Sequence, residues 1–321
     1  MALTQELTLA VAQKLGRIHG LLTSSGSAAL IIALQSAKIP RGAEIIMPAI
    51  CCPAVLFAIQ LAGYTPVLAD VCLNDFCMNA DEAEKLISER TMAIVAVHGY
   101  GHYCQIDGLE ALARDRKLLL VEDACLAMGG TFKGRPLGGF GDISVVSFGY
   151  DKIINCNYGG ALITDREDLF DEAKNIVDKN DFFLFNMHSD LYDEITEKLL
   201  NLDASVTKRI ENTKFCHDSL VGDNIVKLPF LEDVIFWRLP VIVKSHRDEM
   251  VEAARKQGII ITSHYKSLHQ LSTGIFLKNA AYVSDHIINI FVRPETPRQQ
   301  ISDIINFVNE FQNDYRPQKS L

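Results

Sequence analysis

The chain has 321 residues, 48% hydrophobic and 22% charged, and its 31 basic and 40 acidic side chains leave a formal net charge of −9. This composition excludes a largely disordered chain, leaves room for one large domain plus a smaller one, and argues against a nonspecific nucleic-acid surface. Eight cysteines, at 51, 52, 72, 77, 104, 125, 156 and 216, lie in or beside apolar runs without any CxxC spacing. They read as reduced core thiols rather than a disulfide framework or a metal site. No basic segment followed by a long apolar stretch opens the chain, and no apolar window reaches membrane-spanning length, so the expectation is a soluble cytoplasmic protein with no membrane partner.

Residues 3–20 have the apolar spacing of an amphipathic helix, and a serine-rich turn at 23–27 leads into another over roughly 27–38. In that turn, TSSGSAAL, small residues precede a helix whose free N–H groups favour an anion; an ordinary helix cap has the same look. The run AEIIMP predicts a strand at 43–48, 53–62 a helix closed by Gly63, and 64–69 a strand ending at Asp70. A short helix at 80–88, a strand at 92–97 and a helix at 107–115 precede the strand 118–122, where Glu122 and Asp123 end the apolar run. Another apolar run ends at Ser147, with Lys152 just beyond it. Short apolar strands joined by helical crossovers predict an α/β fold, with a mainly parallel central sheet flanked by helices on both faces. No GxGxxG follows the first strand, which argues against a nicotinamide cofactor.

After Thr164 the pattern changes. The stretch 166–217 reads as helix or loop, with one long helix over about 192–218. Strands at 235–243, 259–262 and 287–292 alternate with a helix at 246–257, ended by Gly258. A closing helix covers 297–312, with Pro294 and Pro297 near its start, and the polar tail DYRPQKS reads as disordered. The expected division is a large domain over 1–217 and a small C-terminal α+β domain over 218–321.

A carboxylate from Glu122 and Asp123 at one strand end and an amine at Lys152 beyond another would face one cleft at the C-terminal ends of the strands, where open α/β sheets bind ligands. A lysine there can be a solvated residue, a point charge for a phosphate, or a Schiff-base nucleophile for a carbonyl or for pyridoxal phosphate. Asp123, Ser27 and Ser147 can equally be helix or turn caps. His98 reads as a core histidine or a cofactor contact, and His264 and His269 as interface residues or as groups facing the cleft. Cys104, Cys125 and Cys156 read as packed thiols, because local sequence places no histidine beside them.

The segments SGSAALIIAL, GAEIIMPAICCPAVLFAIQLAGYTPVLADV and the long run from RTMAIVAVHGYG through LLLVEDACLAMGG to SFGYDKIINCNYGGALIT resemble the DegT/DnrJ/EryC1/StrS family of fold-type I pyridoxal-phosphate enzymes, mostly sugar aminotransferases. RDEMVEAARKQGI and SHYKSLHQ resemble its small domain more loosely. The resemblance implies that Lys152 forms the Schiff base with pyridoxal 5'-phosphate and that Asp123 pairs with the pyridine nitrogen. It implies that Gly26, Ser27 and Ser147 hold the phosphate, and that Cys52 lies where many relatives place an aromatic ring over the cofactor. Asn186 stands in a loop through which relatives reach the partner's active site. No metal is implied.

The implied activity is transfer of an amino group from an amino acid such as glutamate to a keto-sugar, expected to be nucleotide-linked, in a homodimer with shared active sites. Sugar dehydration is disfavoured, since relatives that dehydrate replace the lysine by histidine. The alternative is a non-catalytic or regulatory protein of the same fold with vestigial cofactor binding. Two further positions depart from the family pattern: Leu126 stands where relatives carry glutamine or histidine near the cofactor's phenolic oxygen, and Tyr158 replaces an acid before Gly159 and Gly160.

Overall fold

A computed structural model describes residues 2–180, 182–183, 189–271 and 275–314. The apolar runs of the first half become the strands β1 (His19–Thr23), β2 (Glu44–Pro48), β3 (Thr65–Ala69), β4 (Thr91–Val97) and β5 (Leu119–Asp123). A short hairpin of β6 (Thr131–Phe132) and β7 (Arg135–Pro136) separates these from β8 (Ile143–Ser147) and β9 (Gly160–Thr164). Seven of them form one sheet in the order β1-β9-β8-β5-β4-β2-β3. From β3 to β8 every neighbouring pair is parallel, whereas β9 and β1 run antiparallel at one edge.

Alternation along the strands explains why their sequences are apolar almost throughout. Ile45, Met47, Val95 and Val121 pack into one core with the helices α2 (Gly26–Ser36) and α3 (Pro53–Leu61). Their neighbours Ile46, Ile94, Ala96 and Leu120 pack on the opposite face against Ile106, Leu109 and Leu112 of a later helix, Ile106–Arg116. Both faces are covered, so neither can be polar. Helix α2 is buried nearly all round, as its sequence GSAALIIALQS requires.

The second half continues with helices Glu167–Asp178, Ser189–Leu200 and Leu202–Ser219 and a separate antiparallel sheet. That sheet consists of β10 (Ile225–Lys227), β11 (Leu239–Val243), β12 (Ile261–Thr262) and β13 (Ile287–Ile290), in the order β10-β11-β13-β12. Helices Arg247–Lys256, Lys278–His286 and Arg298–Asp314 cover it. The architecture is thus α/β, with a mixed central sheet and a smaller C-terminal α+β part.

Several local expectations are corrected. The helix expected over 3–20 ends at Lys14; Gly16, at φ +70°, turns the chain, and His19–Thr23 pairs with β9 instead. The long helix over 192–218 is broken at Asn201, whose ψ of 4° departs from the helical value. The strand expected from 235 starts only at Leu239, because the N–H of Trp237 donates to the carbonyl of Tyr100 in the first half, at 2.8 Å. The short helix at 80–88 ends at Glu84, and β9, β10 and the helix Lys278–His286 were not anticipated. The tail beyond Asp314 lies outside the described residues. Among the described residues no helix is long and apolar enough to cross a membrane.

Candidate active site

The C-terminal ends of β4, β5 and β8 and the N-terminal ends of α2 and α3 line a cavity of about 170 Å³. Gly26, Ser27, Cys52, Asp123, Ser147 and Lys152 all line it, so residues far apart in sequence meet at one place. Asn186 lies outside the described residues. Asp123 is the last residue of β5 and only 6% exposed, and its Oδ1 accepts the N–H of Cys125 at 3.0 Å. Ser147 ends β8, where its Oγ accepts the N–H of Gly149 at 3.2 Å, and Lys152 follows from the next turn, half-buried.

The anion end of the cavity is built by small residues. Ser25, which the sequence reading passed over, caps α2: its Oγ accepts the N–H of Ala28 at 3.1 Å, leaving Ser27 free of that task. Its signal was present, since serine directly before a glycine-led helix is the preferred cap. A Cβ on Gly26 would come within 2.9 Å of the Ser147 Cβ, and one on Gly160 within 2.6 Å of the Gly26 nitrogen. Glycine at both positions lets the first turn of α2 lie against the ends of β8 and β9. First-turn N–H groups have no intrahelical partner, and the helix dipole there favours an anion.

Directly beside Asp123, Glu122 turns to the other face of the sheet. Its carboxylate accepts from the N–H groups of Gly138 and Phe140 (2.6 Å each) and from Ser144 Oγ (2.8 Å), and it pairs with His98 Nε2 at 2.9 Å. Burial opposes the charge, but His98 and the two N–H donors hold the carboxyl below its ordinary range. Burial likewise works against a charged His98, yet Cys104 and Glu122 beside the ring raise it to about 10. His98 is therefore a satisfied core histidine; it does not line the cavity. Burial, reinforced by the Asp123 charge, pushes the Cys51 and Cys125 thiols well up, which keeps them protonated and poor nucleophiles.

The second half supplies a wall that local sequence did not show. Tyr265 lines the cavity beside Tyr100; the ring centroids are 5.8 Å apart, and Tyr265 stacks on Trp237 at 6.0 Å and 10°. Burial pushes both tyrosine hydroxyls up, so they stay neutral. Of the two histidines near Tyr265 in sequence, His264 sits beside Arg238, with Nδ1 3.1 Å from its guanidinium, and His269 Nδ1 lies 2.7 Å from Ser267 Oγ; neither lines the cavity. Cys52 is the residue before α3 and lines the cavity without a side-chain capping bond, and Leu126 adds apolar surface.

This donor set fits pyridoxal 5'-phosphate part by part. An amine can meet the aldehyde carbon, a carboxylate the pyridine nitrogen and a helix N-terminus the phosphate. At the phosphate end, the missing Cβ of Gly26 lets the α2 N-terminus lie against Ser147, so that both border the cavity.

The DegT/DnrJ/EryC1/StrS aminotransferase family model matches residues 2–182. A GDP-perosamine synthase from Escherichia coli O157:H7 is 37% identical over 150 residues, 47% of this chain and 41% of that protein. An L-glutamine:scyllo-inosose aminotransferase from Streptomyces griseus is 37% identical over 153 residues, 48% of this chain and 36% of its own length. These matches span less than half of either relative. The solved aminotransferase from Psychrobacter cryohalolentis superposes with a TM-score of 0.91 at 21% identity, covering 98% of this chain and 92% of that one. That likeness extends the shared fold, the fold-type I architecture, over nearly the whole chain.

Proposed function

Because the chain belongs to the DegT/DnrJ/EryC1/StrS aminotransferase family, we propose that it is an aminotransferase that binds pyridoxal 5'-phosphate in the cavity at the C-terminal ends of β5 and β8. It moves an amino group from an amino acid such as glutamate to a keto-sugar. The observation that carries this reading is the convergence of Lys152, Asp123 and the α2 N-terminus on one cavity. The E. coli relative's name contains a GDP-linked product, which supports a nucleotide-linked acceptor.

When bound, the cofactor supplies an electron sink for bonds at the amino-bearing carbon. The chain's own residues supply the rest. Lys152, on the cavity wall, would hold the aldehyde end of the cofactor and would hold and move a proton on Nζ as the general acid–base group. The Asp123 carboxylate would pair with the ring nitrogen and favour its protonated form. Gly26, Ser27 and Ser147 would hold the phosphate and so keep the ring in place. Cys52, Leu126 and Tyr265 form the apolar wall that excludes water.

A homodimer with shared active sites belongs to the same proposal. Exposed apolar side chains support it: Phe57 (48%) and Leu61 (74%) on α3, and Tyr150 (75%) two positions before Lys152. One observation favours a second reading, a non-catalytic protein with weak cofactor binding: Leu126, on the cavity wall, has no hydrogen-bonding group to offer a ring oxygen.

The experiment is spectroscopic. Purified protein incubated with pyridoxal phosphate is expected to develop a visible absorption band that bleaches when glutamate is added. Absence of any band overturns cofactor binding, and a band that no amino acid bleaches selects the non-catalytic reading.

A further inference from the structure

The residue before Lys152 makes contacts that the proposed reaction does not use. Asp151 is 6% exposed and holds φ at +55°, in the left-handed region that residues other than glycine seldom occupy. Its carboxylate pairs with the guanidinium groups of both Arg238 and Arg293, and its carbonyl accepts the indole N–H of Trp237. All three donors come from the second half of the chain. Trp237 and Arg238 lead directly into β11, and Arg293 follows β13.

These donors are themselves held. The Arg238 guanidinium lies 4.0 Å from the centroid of the Trp237 ring and 4.2 Å from that of Phe291, and its Nη1 donates to Thr262 Oγ1 at 2.9 Å. Arg293 lies over the same Phe291 ring at 4.7 Å. Trp237 in turn stacks on Tyr265, on the cavity wall. A buried carboxylate shared by two guanidiniums is an orienting contact, because paired charges in a dry setting tolerate little displacement. With side chain and carbonyl of Asp151 both tied, the peptide joining it to Lys152 has little freedom left.

We infer that Arg238, Arg293 and Trp237 are positioning residues for Lys152, acting through Asp151, so that the C-terminal sheet sets the aim of an amine carried by the central one. The inference rests on the reading of Lys152 as the reactive amine. Its rival is that the cluster merely joins the two halves. The amide of Asn279 offers the control, since it also joins them, donating to the Val71 carbonyl at 2.8 Å, away from the Lys152 turn.

The test compares full-length Asp151→Asn, Arg293→Gln and Asn279→Ala with the parent by three measurements. These are the thermal midpoint, the rate at which the visible band forms with pyridoxal phosphate, and the labelling of Lys152 by trinitrobenzenesulfonate in cofactor-free protein, read by peptide mapping. Misplacement of a reacting group by about 1 Å costs on the order of 100-fold in rate, so Asp151→Asn is expected to slow band formation by about that factor. Arg293→Gln should slow it less, with Arg293→Lys recovering part of the loss. Both should make Lys152 several-fold easier to label, while Asn279→Ala lowers the midpoint and leaves rate and labelling unchanged. Equal slowing by Asn279→Ala, or a lower midpoint with unchanged rate and labelling in the Asp151 and Arg293 variants, overturns the inference. Should Asp151→Asn fail to fold, Arg293→Gln still decides, since Arg293 is 30% exposed. If the parent forms no band, the cofactor reading fails and labelling alone decides the positioning role.

Discussion

Glu122 and Asp123 are adjacent carboxylates at the end of one strand, yet their surroundings are opposite. Glu122 is wholly enclosed, and His98, Ser144 and the Gly138 and Phe140 amides occupy its oxygens. Asp123 receives one backbone donor, from Cys125, and opens on the cavity. Strand alternation separates the two, since successive side chains leave a strand on opposite faces. A saturated carboxylate stabilises the strand end, and the other keeps lone pairs for a ligand. The difference lies in the number of donors around each acid, not in the acid itself.

That contrast yields separable outcomes. Asp123→Asn should leave the thermal midpoint close to the parent's and slow the bleaching of the visible band by glutamate by about 100-fold or more, the usual effect of removing a charge aimed at a reacting system. Equal bleaching rates would remove Asp123 from the ring nitrogen. Glu122→Ala should do the reverse. Leaving His98 and three further donors buried without their acceptor should destabilise the fold by about 3–5 kcal/mol, measured by urea unfolding. The surviving folded fraction should still bind the cofactor. A variant of near-parent stability would show that the Glu122 network carries little of the fold.

The same network gives a pH dependence. Glu122 is depressed in the fold, so its contribution is present above its ordinary value of 4.5 and is lost as pH falls through the lower folded value. His98 is raised, so its contribution is complete below its ordinary 6.5 and is lost as pH rises through about 10. Thermal midpoints should therefore be highest between these ordinary values and should decline towards pH 10. In His98→Gln the alkaline decline should flatten, and an unchanged slope would assign it to other groups.

The smallest expected effect concerns the cavity wall. Leu126→Gln places an amide where Leu126 now offers only carbon, and one added hydrogen bond should tighten cofactor binding by about 1 kcal/mol in an equilibrium titration. Weaker binding would place Leu126 away from any polar atom of the cofactor.

How much of this was legible follows from the range of each contact. The strand ending in Glu122 and Asp123, the run ending at Ser147 and the glycine-led helix at 26 are local signals, and their meeting point follows from strand order in a parallel sheet. Choosing Asp123 over Glu122 was beyond local sequence, because either carboxylate could have faced the cleft. β1 was hidden because HGLLT extends the helical spacing of the residues before it, and only pairing with β9 makes it a strand. Tyr265, Arg238 and Arg293 were invisible for a similar reason. Their roles depend on contacts with residues 86 or more positions away in the chain, such as the Trp237–Asp151 bond that accompanies them. Spacing within a segment carries no information about such pairs.

The central claim is that Lys152, and no other lysine, meets the cofactor in this cavity. The most direct test is borohydride reduction of the protein after incubation with pyridoxal phosphate, followed by peptide mapping. The account predicts a stable pyridoxyl adduct on the peptide carrying Lys152 and none after Lys152→Ala. An adduct confined to other lysines, or no adduct where a visible band had formed, would contradict it.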